Sequence, residues 1–255
     1  MLFPKRAVDR KYSFRLFTEK ESAKDFDDIV LRYEQDGKIV HRFIQIKHKK
    51  GRHKKISIGK LLTREKGGAF SLIKYLIAYL KIKDNGEFEG EIEDFVIVTN
   101  ADFDSTDSIL YPVRKLRMML SGKNKGKELS FVRIDTKDEF LDIGDSARYR
   151  ISDSDGSVAQ YLKQNMDFIK REIGKEVSNK EIEDFLNELV FVVNLPHEAQ
   201  LRELLLGKLS SRLNKKFDYI GDNQIFCNNL LKKISDWVKD IKARPLSYKE
   251  GEELF

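Results

Sequence analysis

With 255 residues, 40% hydrophobic and 35% charged, the chain can bury a full core beneath a heavily solvated surface. Its net charge of +6 favours polyanionic partners such as nucleic acid or acidic membrane surfaces, and equally suits a merely soluble basic protein. One cysteine, Cys227, excludes an intrachain disulfide and a thiolate zinc cluster, and no apolar run reaches the roughly 18–20 residues of a membrane span.

Such a chain fits a reducing, intracellular compartment, cytoplasmic or nuclear. Residues 1–10 lack the apolar core of a signal peptide and read as the tail of a helix entering a strand, as in a domain cut from a longer protein. Tyr12–Thr18 alternates apolar with polar and predicts a strand, as do Asp28–Glu34 and Ile39–Lys47. Between the last two lies Asp36-Gly37, the strongest short hairpin signal, because both positions tolerate positive φ. Lys47–Lys60, dense in cations, reads as an exposed loop. Phe70–Lys81 has the spacing of a largely buried helix, and Phe95–Thr99 the apolar run of a strand buried on both faces.

Further on, Ser108–Leu120 predicts a helix with Pro112 near its first turn, Ser121–Lys127 a polar loop, and Leu129–Ile134 a strand. Ser157–Ile173 predicts one helix. Ser178 and Glu181 form a capping-box signature for the next. Leu189–Val193 reads either as a strand or as a buried extension of that helix. Pro196 suits the start of a helix to about Leu213, and Asn223–Lys242 is amphipathic, with Ile225, Phe226, Leu230, Ile234, Trp237, Val238 and Ile241 on one side. The organisation expected is an α/β domain over 1–155 followed by a mainly helical domain over 156–255.

The hairpin permits a geometric test. With Asp36-Gly37 as a two-residue loop, Gln35 pairs with Lys38 and Asp28 falls opposite Gln45. Alternation then puts Asp28, Val30 and Arg32 on one face with His41, Phe43, Gln45 and Lys47. Ile29, Leu31, Tyr33, Val40, Ile44 and Ile46 lie on the other, expected to be the core face. An acid, an amide and an amine meet on the first. Phosphodiester hydrolysis needs an activated water and neutralised phosphate charge, which a divalent metal supplies. Asp28 offers a hard anionic ligand, Gln45 an amide oxygen, Ile46 a backbone carbonyl, and Lys47 a cation for the attacking water or developing charge. The same trio also occurs on solvated sheet faces with no chemistry.

The pattern Asp28-x16-Gln45-x-Lys47, with the flanking text FDDIV and FIQIKHK, resembles the PD-(D/E)xK nuclease superfamily, in the branch with Gln at the second acidic position. The flanks, with FVIVTN at 95–100 and FLNELVFVVNLPHEAQLRELL at 185–205, are similar to the nuclease domains of bacterial anti-phage effectors of the cyclic-oligonucleotide signalling type and to related arthropod and endosymbiont proteins. This resemblance implies a restriction-endonuclease-like αβββαβ core, with a central mixed sheet flanked by helices. It also implies a Mg²⁺- or Mn²⁺-dependent DNA endonuclease, acting on double-stranded DNA within a defence or toxin protein. Asp28, Gln45 and Lys47 match the family's motif positions.

Two departures stand out. The family's acid on a helix before the first strand has no counterpart in residues 1–8, so Glu19 is a substitute candidate; and Gln45 brings no charge. Lys49, Lys50, Arg52, Lys54 and Lys55 form a candidate phosphate-tracking run, or a solvated loop. Asp27 and His48 rank below the trio because alternation points both to the opposite face. An inactive nuclease-fold protein that binds nucleic acid and a protein-interaction scaffold are the alternative functions, and a homo-oligomer or attached regulatory modules the further partners.

Overall fold

Asp36 and Gly37 both take positive φ, 52° and 77°, so the turn is the tight left-handed kind that fixes a two-residue hairpin. The computed structural model describes residues 13–50, 55–65, 67–104, 115–119, 128–138, 141–153, 156–217, 223–239 and 246–247. In chain order these form β1 (Phe14–Thr18), a 3-10 helix (Glu21–Phe26), β2 (Ile29–Gln35), β3 (Lys38–Lys47), β4 (Lys55–Ile56), α1 (Ile58–Leu61), α2 (Leu72–Lys83), β5 (Glu91–Thr99) and β6 (Asp102–Phe103). Then follow β7 (Lys115–Met119), β8 (Glu128–Arg133), β9 (Ala147–Ser152), α3 (Ser157–Lys163), α4 (Met166–Ile173), α5 (Asn179–Glu188), β10 (Leu189–Val193), α6 (Glu198–Phe217), α7 (Asn223–Lys239) and β11 (Leu246–Ser247).

Nine of these strands make one mixed sheet, ordered β11-β1-β2-β3-β5-β10-β9-β8-β7, with β4 and β6 paired apart. The register predicted for the hairpin is the one observed: Gln35 pairs with Lys38 and Ile29 with Ile44. β5 lies parallel to both β3 and β10, and the β3-to-β5 crossover carries α2. The molecule is therefore α/β with a large mixed sheet flanked by helices. Among the described residues no helix is long and apolar enough to cross a membrane.

The apolar runs of β5 and β10 alternate between two cores. Phe95, Ile97, Phe191 and Val193 join the principal core; Val96, Val98, Val190 and Val192 join a smaller one behind the sheet. The principal core is aromatic. Phe43 stacks on Phe95 at 5.0 Å, and Phe26 and Tyr79 each meet the Phe95 ring edge-on at 5.0 Å. α2 covers it with Leu72, Ile73, Tyr75, Leu76 and Leu80.

This reverses the expectation for the hairpin. Val30 and Phe43 belong to the principal core, so the face shared by Asp28, Gln45 and Lys47 is the main core face. The other face holds a small Phe14–Leu31 cluster and leaves Ile46 exposed. Polar residues occupy the two ends of the strands, and counting them hides the apolar middle where α2 packs.

Other corrections have local causes. Residues 115–119 are a strand, drawn into pairing with β8 (Leu116 opposite Phe131), while the rest of the helix expected over Ser108–Leu120 lies outside the described residues. The helix expected over Ser157–Ile173 breaks at Asn165, whose buried amide donates to the Tyr161 carbonyl at 2.7 Å. Leu189–Val193 is a strand at the sheet's centre, so the sheet does not part at residue 155. The Ser178–Glu181 capping box is present, and α6 begins two residues after Pro196. Ile225 is 61% exposed, off the apolar side assigned to it.

Behind the sheet sits a charged cage. Arg42 is 4% exposed, and its guanidinium meets Asp94 at 2.8 Å, Asp138 at 2.9 Å and Glu93 at 3.0 Å. A register shift between His41 and Arg42 leaves Glu93 without a ladder partner and turns both neighbouring acids toward the arginine. Burial works against the Arg42 charge, but Asp94, Glu93 and Asp138 outweigh it and hold the group above the ordinary arginine range. Removing one partner of such a cage strands the others. Arg42→Ala is expected to cost about 3–5 kcal/mol in urea unfolding; a loss under about 1 kcal/mol would show the cage to be dispensable.

Candidate active site

The site stands where β2 begins. Ala23 and Phe26 anchor the 3-10 helix in the core, and Asp27 ends it in a helical conformation at φ −88° and ψ −16°. The Asp27 carbonyl accepts the Lys20 N–H at 3.1 Å. One residue later, a single oxygen of Asp28 accepts the Gln45 side-chain amide and the Ile46 backbone N–H, the latter at 2.5 Å. In an uninterrupted ladder that N–H would pair at residue 27. The carbonyl of a strand residue projects to the same side as its N–H, so the Ile46 carbonyl also faces the Asp28 end.

Gln45 is 2% exposed and Lys47 half-buried, at the carboxyl ends of the parallel strands β3 and β5, where Lys47 pairs with Thr99. Ligands of open α/β sheets bind at such strand ends. The predicted trio is thus brought together: Asp28 bonds Gln45 directly, and its charge acts on Lys47.

Burial lowers the Lys47 pKa below the ordinary lysine value of 10.5, and Lys74 lowers it further, against the opposing pull of Asp28, Asp25 and Asp27. Lys74 lies in the first turn of α2 and pairs with Asp25 at 2.7 Å. The sequence carries one signal for it, a cation in the first turn of a helix whose other cations, Lys81 and Lys83, lie in its last turn. The strand alternation that points Asp27 to the opposite face does not extend to a residue ending a 3-10 helix. Asp27 is half-buried, and burial together with Asp28 and Asp25 raises its carboxyl above the ordinary value.

Glu19 sits exposed at the end of β1 with φ 49°. Among the described residues no three His, Cys, Asp or Glu side chains converge on a point that could hold a metal, so Glu19 completes no carboxylate cage around Asp28.

The basic run divides. Lys49 is held by its backbone, which exchanges hydrogen bonds of 2.9 and 3.1 Å with the Asn100 side chain. Its amine lies 4.8 Å from the Phe70 ring centroid, and burial and Lys60 push its pKa down to about 8. Lys55 pairs with Asp102 at 3.3 Å. Lys50 and His48 are exposed, and Arg52 and Lys54 lie outside the described residues.

Compared with known protein families, curated proteins and solved structures, the chain matches none.

The charge balance at Lys47 can be read by NMR titration of ¹³C-labelled lysine. Its midpoint should fall below 10.5, rise in Lys74→Met and fall further in Asp28→Asn. Shifts of the opposite sign would overturn the assignment of its neighbours.

Proposed function

We propose that the protein is a metal-dependent deoxyribonuclease whose reacting groups are Asp28, Gln45 and Lys47, a Gln-x-Lys variant of the PD-(D/E)xK pattern. One observation carries this reading: the Asp28 carboxylate meets Gln45 and the Ile46 backbone, with Lys47 next on the same face of β3. The chain order β1-β2-β3-α2-β5 supports it, since three antiparallel strands, a helix and a parallel fourth strand are what the αβββαβ core requires after its first helix.

The donor set suits a hard cation. Asp28 through its second oxygen, Gln45 through its amide oxygen and Ile46 through its carbonyl are the groups that would hold Mg²⁺ or Mn²⁺. Mg²⁺ needs only one or two carboxylates when water and substrate phosphate fill the remaining positions. When bound, the ion supplies an activated water and charge neutralisation at the phosphate. Gln45 now turns its NH₂ toward Asp28; a half-rotation of the amide presents the oxygen instead.

Lys47 holds a proton at Nζ beside that point. Burial and Lys74 loosen the amine's hold on that proton, and the amine can orient the attacking water or meet charge developing on the phosphate. Lys49 and exposed Lys50 extend the positive edge along which a duplex would run.

A second reading has its own observation. A single carboxylate, one oxygen of which is already shared by two protein N–H groups, also describes a degenerate site that binds DNA without cutting it.

Plasmid DNA incubated with Mg²⁺ or Mn²⁺ separates the two. Cutting should disappear with EDTA and fall by about 10²–10³-fold in Lys47→Ala, with salt-sensitive duplex binding retained. A folded chain that binds duplex but cuts with neither metal would establish the second reading, and full activity in Lys47→Ala would remove that residue from the mechanism.

A further inference from the structure

At the far end of the same sheet face, one cross-strand row carries three nitrogen-bearing side chains. Arg15 stands opposite Arg32 on β1 and β2, and Arg32 opposite His41 on β3. Directly opposed side chains start about 5 Å apart, so the two guanidiniums repel unless an anion lies between them. Neither arginine has an acidic partner among the described residues, and all three side chains line a cleft of about 270 Å³.

The cleft has further character. Lys20 lies 5.0 Å from the Phe17 ring and 5.8 Å from the Phe88 ring, and forms an ion pair with Glu87. Glu89 is the other carboxylate of the lining. With Lys20 and Glu87 cancelling, Arg15 and Arg32 outweigh Glu89. His41 is 3% exposed, packed against Phe43 and Phe88, and its Nδ1 has no hydrogen-bond partner. Burial and the Arg32 charge bring its pKa down to about 4, so the ring is neutral at pH 7 and can donate one hydrogen bond. A neutral imidazole beside two arginines without acidic partners among the described residues offers hydrogen-bond donors and positive charge to one anion.

We propose that this cleft binds a small phosphate monoester, its dianion between Arg15 and Arg32 beside the neutral His41 ring, and its apolar body against Phe17. A dianion with three acceptor oxygens matches two guanidinium forks and one imidazole, which a carboxylate does not. The volume lies just below the roughly 300 Å³ at which small-molecule pockets begin, so the ligand is small. Arg32 is four residues from Asp28 along β2, about 13 Å, which separates the cleft from the candidate active site. The inference does not rest on nuclease activity.

Isothermal titration of the whole chain with phenyl phosphate, inorganic phosphate and benzoate tests it. Phenyl phosphate should bind saturably at one site, with benzoate and inorganic phosphate each weaker by about ten-fold or more. Arg15→Gln and Arg32→Gln, shown by their unfolding midpoints to be folded, should each weaken phenyl phosphate by about ten-fold, and His41→Phe, which keeps the ring packing, by about three-fold or more. Absence of saturable binding, equal affinity for benzoate, or unchanged affinity in both arginine variants would overturn the proposal. Loss of duplex affinity in those variants, with no binding of phenyl phosphate, would also overturn it and assign the row to the nucleic-acid path.

Discussion

The left-handed Asp36-Gly37 turn sets which residues of β2 and β3 face one another, and both candidate sites inherit that choice. A slip by one residue would carry every side chain of one strand to the opposite face. Val30 would leave the core, Asp28 would lose Gln45, and Arg32 would lose His41 as cross-strand neighbour. The burial of Val30 and Phe43 beneath α2 fixes the same register from the other direction. Turn chemistry and core packing therefore agree, which is the consistency a unique fold requires.

The core lies under the middle of these strands and fades toward their ends. At one end Asp28, Gln45 and Lys47 gather beside the 3-10 helix; at the other Arg15, Arg32 and His41 line the cleft. Gln45 is the most deeply placed of the polar groups, and a buried amide needs partners. Asp28 supplies one, and the early ending of the ladder at Asp27 leaves the Ile46 N–H to supply Asp28 with another donor. Packing holds the Gln45 amide beside the Asp28 carboxylate. On the far side of the sheet, the Arg42 cage joins β3 and β5 to Asp138 and so braces the same strands from behind.

Much of this was legible in the sequence because it depends on short-range chemistry. Two residues of positive φ declared the hairpin, alternation placed Asp28 with Gln45 and Lys47, and Ser178 with Glu181 declared a helix start. What was illegible depends on long-range partners. The core face of the hairpin is decided by α2, which alternation alone cannot locate. Residues 115–119 consist of Lys, Leu, Arg and Met, good helix formers that become a strand because β8 lies beside them. β9 alternates Arg148 and Arg150 with Tyr149 and Ile151, a pattern whose charged members mask the strand in the sequence. The charge of Arg148 is met by Asp142 at 2.9 Å. Asp27 and Lys74 join the site through a 3-10 helix and a helix start, neither of which follows strand periodicity.

In the proposed site Asp28, Gln45 and Ile46 would together hold one divalent cation. Electron paramagnetic resonance of Mn²⁺ titrated into the whole chain reads this without any nucleic acid or turnover. One bound ion per chain is expected, lost in an Asp28→Asn variant whose unfolding midpoint shows it still folded. An Mn²⁺ spectrum that shows no bound ion in the wild type, or one that Asp28→Asn leaves unchanged, would contradict it.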